Sequence, residues 1–241
     1  MSPDLRLVHL YPDLLRTYGD RGNLVALVRR AEWRGFSVHV QGVGRGDETP
    51  PADLFLLGGG TDRVQSALGD DLAARREALV ERVREGAILV GICGGYQLLG
   101  HRYITTGGVA VPGLGLLDAE TRAGSPRIIG RVRATAALWG SRFDLVGFEN
   151  HGGRTLLGPA AAPLASVRKR RGNNGRDRTE GAVQGTLVGT YLHGPVLPLN
   201  PELADALLAR ALSRVTAGAS LEPLDDRLEH WARRLRRRLR R

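Results

Sequence analysis

The sequence predicts an α/β domain in which a mostly parallel sheet is covered by helices. Two observations carry this: short apolar runs alternate with amphipathic stretches, and 241 residues with 42% apolar content suit one generous core rather than two full enzyme domains. Leu5–Leu10 reads as the first strand. Gly22–Arg34 follows as a helix, with Leu24, Ala26, Leu27, Val28 and Ala31 as its apolar positions and Gly35 as its stop. Ser37–Val40 reads as the second strand, Gly42–Pro51 as a loop, and Asp53–Leu57 as a buried strand ending in Gly58-Gly59-Gly60. Asp70–Glu85 has a helical face of Leu72, Leu79, Val80 and Val83, and Ile88–Ile92 is the next strand. Between Val109 and Leu192 the pattern predicts shorter strands and turns, with the very polar Arg168–Glu180 as a mobile surface loop. Pro201–Val215 is the last helix of the body, and no internal repeat is visible.

Composition excludes several classes of function. Of 35 cationic residues only Lys169 is a lysine, which rules out a GxxxxGK[ST] phosphate loop and ATP binding of that kind. Seven arginines fall within Arg233–Arg241, and removing them takes the formal net charge from +10 to +3, so most of the excess charge belongs to the tail. With aromatic residues at 5%, the basic footprint is unlike that of a nucleic-acid reader, and no nucleic-acid partner is expected. The single Cys93 cannot form an internal disulfide or a zinc cluster, in keeping with a reducing compartment. No apolar run is long enough to span a bilayer and MSPDLRLVHL lacks the zones of a signal peptide, so the expected location is cytoplasmic.

Cys93 stands in Gly91-Ile92-Cys93-Gly94-Gly95 between a strand and a helical pattern. Small residues two before and two after a reactive side chain are what a sharp nucleophile elbow requires, and the helix start that follows favours a thiolate. The same cysteine read without its glycines is a buried core residue. A nucleophile needs a base and an oxyanion site. Gly58-Gly59-Gly60, at the carboxyl end of a parallel-type strand, offers backbone N–H groups. Among six histidines, His193 ends the apolar run Thr186–Leu192 and should emerge at the sheet rim, while His151 in the crowded Gly147–Arg154 segment competes with it.

Five ordered segments, Tyr18–Asn23, Gly58–Arg63, Gly91–Gly100, Phe148–Thr155 and Thr190–Pro195, together resemble a class I glutamine amidotransferase domain of the cobyric acid synthase type. More narrowly they resemble the GatD-type glutaminase subunits of lipid II isoglutaminyl synthase. The resemblance covers about residues 5–217 and implies a flavodoxin-like sheet. It implies Cys93 as nucleophile and His193 as base, with the Gly59 and Gly94 amides near the oxyanion and Arg127 holding the glutamine. It further implies no cofactor in this chain, a Mur-ligase-like (MurT-type) partner that binds ATP, and lipid II reached through that complex, in a heterodimer at the inner membrane face. Many class I domains carry His-x-Glu, whereas here His193-Gly194-Pro195 stands. The orienting acid must then come from elsewhere in the chain, with Glu149 and Glu180 as candidates, or from the partner.

The tail, residues 218–241, is expected to be an Arg-rich amphipathic helix with Leu221, Leu224, Leu228, Trp231, Leu235 and Leu239 recurring at three- and four-residue spacing. Its stripe would either pack on the body, leaving a solvated basic face, or meet the ligase or anionic lipid. Two other functions stand beside the main reading: an amidotransferase subunit for another carboxylate acceptor, of corrinoid type, and an inactive amidotransferase-like protein binding anionic polymers, which the pI of about 10.9 would suit.

Overall fold

The computed structural model describes residues 4–168, 170–216 and 220–238. The junction expected at 217/218 and Leu239 lie outside the described residues. In chain order the elements are β1 (Asp4–Leu10), α1 (Arg21–Glu32), β2 (Ser37–Val43), β3 (Leu54–Leu57), α2 (Asp62–Ala74), α3 (Arg76–Arg84), β4 (Ile88–Ile92) and α4 (Gly94–Leu99). Then come β5 (Arg102–Ile104), β6 (Ala110–Pro112), β7 (Ala119–Leu138), β8 (Ser141–Leu157), β9 (Ala165–Val167), β10 (Thr179–Glu180), β11 (Ala182–Gln184) and β12 (Leu187–Thr190). Helices α5 (Val196–Leu199), α6 (Pro201–Val215) and α7 (Arg227–Arg238) complete the chain.

The main sheet has the order β11-β12-β4-β3-β1-β2, parallel throughout except for β11. Its central strands β3, β4 and β12 are buried along their whole length, which is why they read as unbroken apolar runs. Register sets Leu57 beside both Leu10 and Gly91, and Thr190 beside Ile92. The carboxyl ends of β1, β3, β4 and β12 therefore open onto one rim, where open parallel sheets place their ligands.

Three expectations change. The segment after Val109 holds the two longest strands, because β7 and β8 form a hairpin turning at Trp139 and Gly140, both with positive φ, in a second six-stranded sheet. The helix expected from Asp70 begins at Asp62, where Thr61 Oγ1 accepts from Val64 N, and divides at Arg75. The buried Arg75 guanidinium bonds Asp71 and the Tyr11 hydroxyl, fixing the join. Finally, the polar segment expected as a mobile loop is, over residues 170–180, built into the fold. Asn173 is fully buried, accepts from the Tyr96 hydroxyl and donates to Thr179 Oγ1 and the Gly181 carbonyl, while Asn174 Oδ1 accepts the Arg176 and Asp177 amides. Polarity there serves internal hydrogen bonds rather than solvent.

Candidate active site

Cys93 follows β4 directly and has φ 51° and ψ −102°, a strained conformation for a residue with a Cβ. The turn is possible because its flanks lack side chains. A Cβ on Gly95 would stand 2.3 Å from the Leu57 carbonyl oxygen, and one on Gly91 would stand 2.8 Å from the Gly95 carbonyl. The Cys93 amide donates to Thr190 O at 2.8 Å, tying the elbow to the strand that delivers His193.

His193 is buried, and its backbone is locked by paired hydrogen bonds to Phe148 of β8. Its Nδ1 lies 3.3 Å from Asp20 Oδ1, and its Nε2 is buried without a hydrogen-bond partner. Burial alone would lower the imidazole pKa. The hydrogen bond to Asp20 and the proximity of Cys93 outweigh it, and the pKa rises to about 9. The structure thus brings thiol, imidazole and carboxylate into one interacting group at the sheet rim.

Asp20 is the acid that reading the sequence missed. Pro195, at the position where the usual motif has its glutamate, packs against Gly22, so closely that a Cβ there would be 2.5 Å from Pro195 Cγ. The carboxylate comes instead from the residue that immediately precedes α1. Neither glutamate considered beforehand is placed this way. Glu149 accepts from Arg171 Nη1 and the Gly172 amide. Glu180 accepts from Thr190 Oγ1 and the Tyr191 amide, and burial pushes its pKa up to about 7 against those two bonds. His151 belongs to another cluster: its ring stacks on Tyr191 at 3.7 Å and its Nδ1 bonds the Gly153 carbonyl.

Gly59 lines the site, with its Cα face 3.1 Å from His193 Cε1 measured from the position of an added Cβ. Its single N–H, however, donates to Asp20 Oδ2 at 2.6 Å, so that amide is not available to an oxyanion. The amides of Gly60 and Gly94 have no acceptor within the described chain, and the Gly60 nitrogen is only 2.7 Å from where a Gly94 Cβ would stand.

Arg127 lies in the break of the β7–β8 ladder between Ala123 and Ile128, beside Pro126, which has no N–H to pair. Its exposed guanidinium donates to Asn150 Oδ1 at 3.0 Å and Asn150 O at 2.8 Å. Asn150 Nδ2 donates to the Tyr18 hydroxyl at 2.5 Å, and the Tyr18 ring meets His193 edge-on at 4.8 Å. A cationic group is thereby positioned on the open side of the same rim. Beneath the thiol, Gln65 donates to Gln97, and Gln97 to the Tyr191 hydroxyl, which continues to Thr155 and Thr121. Among the described residues no cluster of three or more His, Cys, Asp or Glu could hold a metal ion.

A cysteine elbow, an imidazole with its carboxylate and a cationic rim on an open parallel sheet define an enzyme of the glutamine amidotransferase class. The chain belongs to the CobB/CobQ-like glutamine amidotransferase domain family, whose profile matches residues 6–201. Within it, the chain is 38% identical over 236 residues to the GatD subunit of lipid II isoglutaminyl synthase (glutamine-hydrolyzing) from Staphylococcus aureus, covering 96% of this chain and 94% of that protein. It is 37% identical to the subunit of the same name from Streptococcus pneumoniae, over 87% of this chain and 81% of that one. A cobyric acid synthase of Photorhabdus laumondii is 36% identical over 60% of this chain but only 30% of its own length. In fold, the glutaminase domain of Trypanosoma brucei CTPS superposes with a TM-score of 0.56 at 12% identity, over 91% of this chain and 96% of that one. A glutamine amidotransferase of Thermotoga maritima gives 0.54 at 16%, over 88% and 97%.

Proposed function

We propose that the chain is the glutamine-hydrolysing subunit of a two-subunit lipid II isoglutaminyl synthase. The observation that carries this reading is the His193 imidazole held between Asp20 and Cys93 in a chain that matches GatD proteins along nearly their full length. The cobyric acid reading is weaker, because those relatives are some three times longer than the part this chain matches.

In the proposed reaction Arg127 holds the substrate's α-carboxylate, and the side-chain carboxamide enters the elbow. The raised proton affinity of His193 draws the thiol proton onto Nε2, and Cys93 Sγ attacks the carboxamide carbon. The negative oxygen of the tetrahedral adduct is met by the Gly94 amide, joined by Gly60, whose N–H is unspent where that of Gly59 is not. Asp20 keeps the proton on Nδ1, so Nε2 alone delivers its proton to the departing nitrogen. The C–N bond breaks and ammonia leaves a glutamyl thioester, which water cleaves to glutamate with return of the thiol proton.

Free ammonia is mostly ammonium near neutral pH and must be passed on shielded. The acceptor in this reading is the α-carboxylate of D-glutamate in the lipid II stem peptide, activated by ATP on a MurT-type, Mur-ligase-like subunit. The body to about residue 217 would supply the glutaminase. Cys93→Ser in the complex should abolish glutamine-dependent amidation of lipid II, read by mass spectrometry, and leave amidation driven by added ammonium intact. Equal loss under both conditions would mean that Cys93 serves the fold or the subunit interface instead.

A further inference from the structure

The C-terminal helix is mounted inside out. Arg233, on α7, is 6% exposed, and its guanidinium donates to the Leu199 carbonyl and to both oxygens of the Glu202 carboxylate. The preceding segment is clamped as well, by Arg30 on Asp226, by Arg34 on the Glu222 carbonyl and by Leu221 packed on the core. Leu228, Trp231 and Leu235 are by contrast 76%, 55% and 37% exposed. At 3.6 residues per turn these three fall within an arc of about 60°, centred about 170° from Arg233. The residue type that solvent ordinarily keeps is buried, and the stripe that ordinarily packs faces outward.

We infer that this face of α7 docks the protein on an anionic lipid surface. Three large apolar side chains, one an indole suited to the boundary between water and hydrocarbon, form a stripe that a helix lying flat can sink into headgroups. Arg227 and Arg234 are exposed along one edge of that stripe, and eight of the last fifteen residues of the sequence are arginine against a single glutamate. Neither signal suffices alone: a stripe of three residues over about 18 Å of helix binds marginally, and a basic patch without apolar insertion binds any polyanion. Together they select phosphate-bearing lipid. No helix of the described residues is long and apolar enough to cross a membrane, so this is attachment to a surface. The anchors on the body fix the stripe outward, so docking needs no rearrangement of the site.

The test uses the full chain and is read without turnover, so its failure is distinct from failure of the glutaminase reading. Sedimentation with vesicles of phosphatidylcholine alone is compared with vesicles containing phosphatidylglycerol at about one part in three. We expect binding at least about tenfold tighter to the anionic vesicles, lost in Leu228→Ser with Trp231→Ser and weakened by added salt. Both serines replace exposed residues, so melting temperature and glutamine hydrolysis should stay at the wild-type level. Arg227→Gln with Arg234→Gln should weaken anionic binding several-fold and flatten its salt dependence. Equal binding to both vesicles, or anionic binding untouched by the double serine variant, would overturn the inference. So would loss of the ligase subunit from the double serine variant while vesicle binding persists, which would assign the stripe to a protein.

Discussion

At the scale of single residues, what could be read from the sequence depended on how local each signal is. Cys93 announces itself because its requirement, glycine two places to either side, lies in five consecutive residues. Asp20 does not, because its partner His193 is 173 positions away and no periodicity links them. Its only trace is its place in the Tyr18–Asn23 segment, where its neighbour Gly22 admits Pro195. The family resemblance implies the Gly59 amide as an oxyanion donor, and only the Asp20 carboxylate shows where its hydrogen goes. These contacts set an expectation for Asp20→Asn. The amide can still accept from Gly59, but it no longer stabilises imidazolium or fixes the tautomer, so turnover should fall by about 10²–10⁴ while glutamine KM changes little. The His193 pKa, raised to about 9, should move back toward 6.5 in an NMR titration. A histidine whose folded pKa is raised adds stability in full below its unfolded value of 6.5 and loses it as pH climbs through 9, so wild-type melting temperature should decline across that window and Asp20→Asn should flatten the decline. An unchanged titration with normal turnover would show that Asp20 serves only to brace the Gly59 loop.

At the scale of elements, strands buried on both faces were legible, whereas the exposed β2 was cut short at Val40 and the half-exposed β7 and β8 were not read as long strands. β4 was placed to the residue because Ile88–Ile92 carries no polar side chain, whereas β7 alternates exposed Arg131, Arg133, Thr135 and Ala137 with buried Val132, Ala134, Ala136 and Leu138. The segment 168–180 failed for a related reason: composition cannot distinguish an asparagine that faces water from one that closes a turn inside the protein. The elbow joins both kinds of information, since its glycines are a sequence signal whose steric cause lies on another strand. Gly95→Ala would drive a Cβ to 2.3 Å from Leu57 O and 2.8 Å from Gly58 O, both backbone atoms of the neighbouring β3 strand and its glycine loop. Backbone in the sheet centre cannot retreat as a flexible side chain would, so β4 and α4 must separate from β3 or the Cys93 turn must open. We expect a loss of about 2–4 kcal/mol in thermal or urea unfolding and no measurable glutaminase activity. Cys93→Ala, inactive but close to wild type in stability, is the control that separates loss of the nucleophile from loss of the turn. A Gly95→Ala protein that melts normally and still hydrolyses glutamine would show that the elbow is looser than its contacts imply.

For the whole molecule, the net charge of +10 divides between a moderately charged body and a tail that must be held on it. Periodicity identified the tail's apolar stripe, but a stripe does not say which way it faces; the helix itself starts only at Arg227, after an irregular clamped segment. The direction is set by where carboxylates and carbonyls of the body await a guanidinium. Arg30 is the chief clamp. Buried on α1, it donates through Nε and Nη2 to Asp205 of α6 at 2.7 Å and through Nη1 to Asp226 at 2.5 Å, and Arg34 adds a third bond to Asp205. Burial opposes its charge, and the two carboxylates more than compensate, so it stays cationic. Arg30→Met keeps much of the volume but leaves Asp205 and Asp226 facing each other with one cation fewer, and breaking such a pair from one side costs about 3 kcal/mol. Melting temperature should fall accordingly, and trypsin should release the arginine-rich segment from Arg30→Met well before it attacks the body. Adding Asp226→Asn should recover part of the loss in stability without restoring protection of the tail, because it removes the unpaired charge but not the missing clamp. If Arg30→Met kept both the wild-type melting temperature and the resistance of its tail, the segment would be held by Arg233 and Leu221 alone, and α7 would owe its outward stripe to those two contacts.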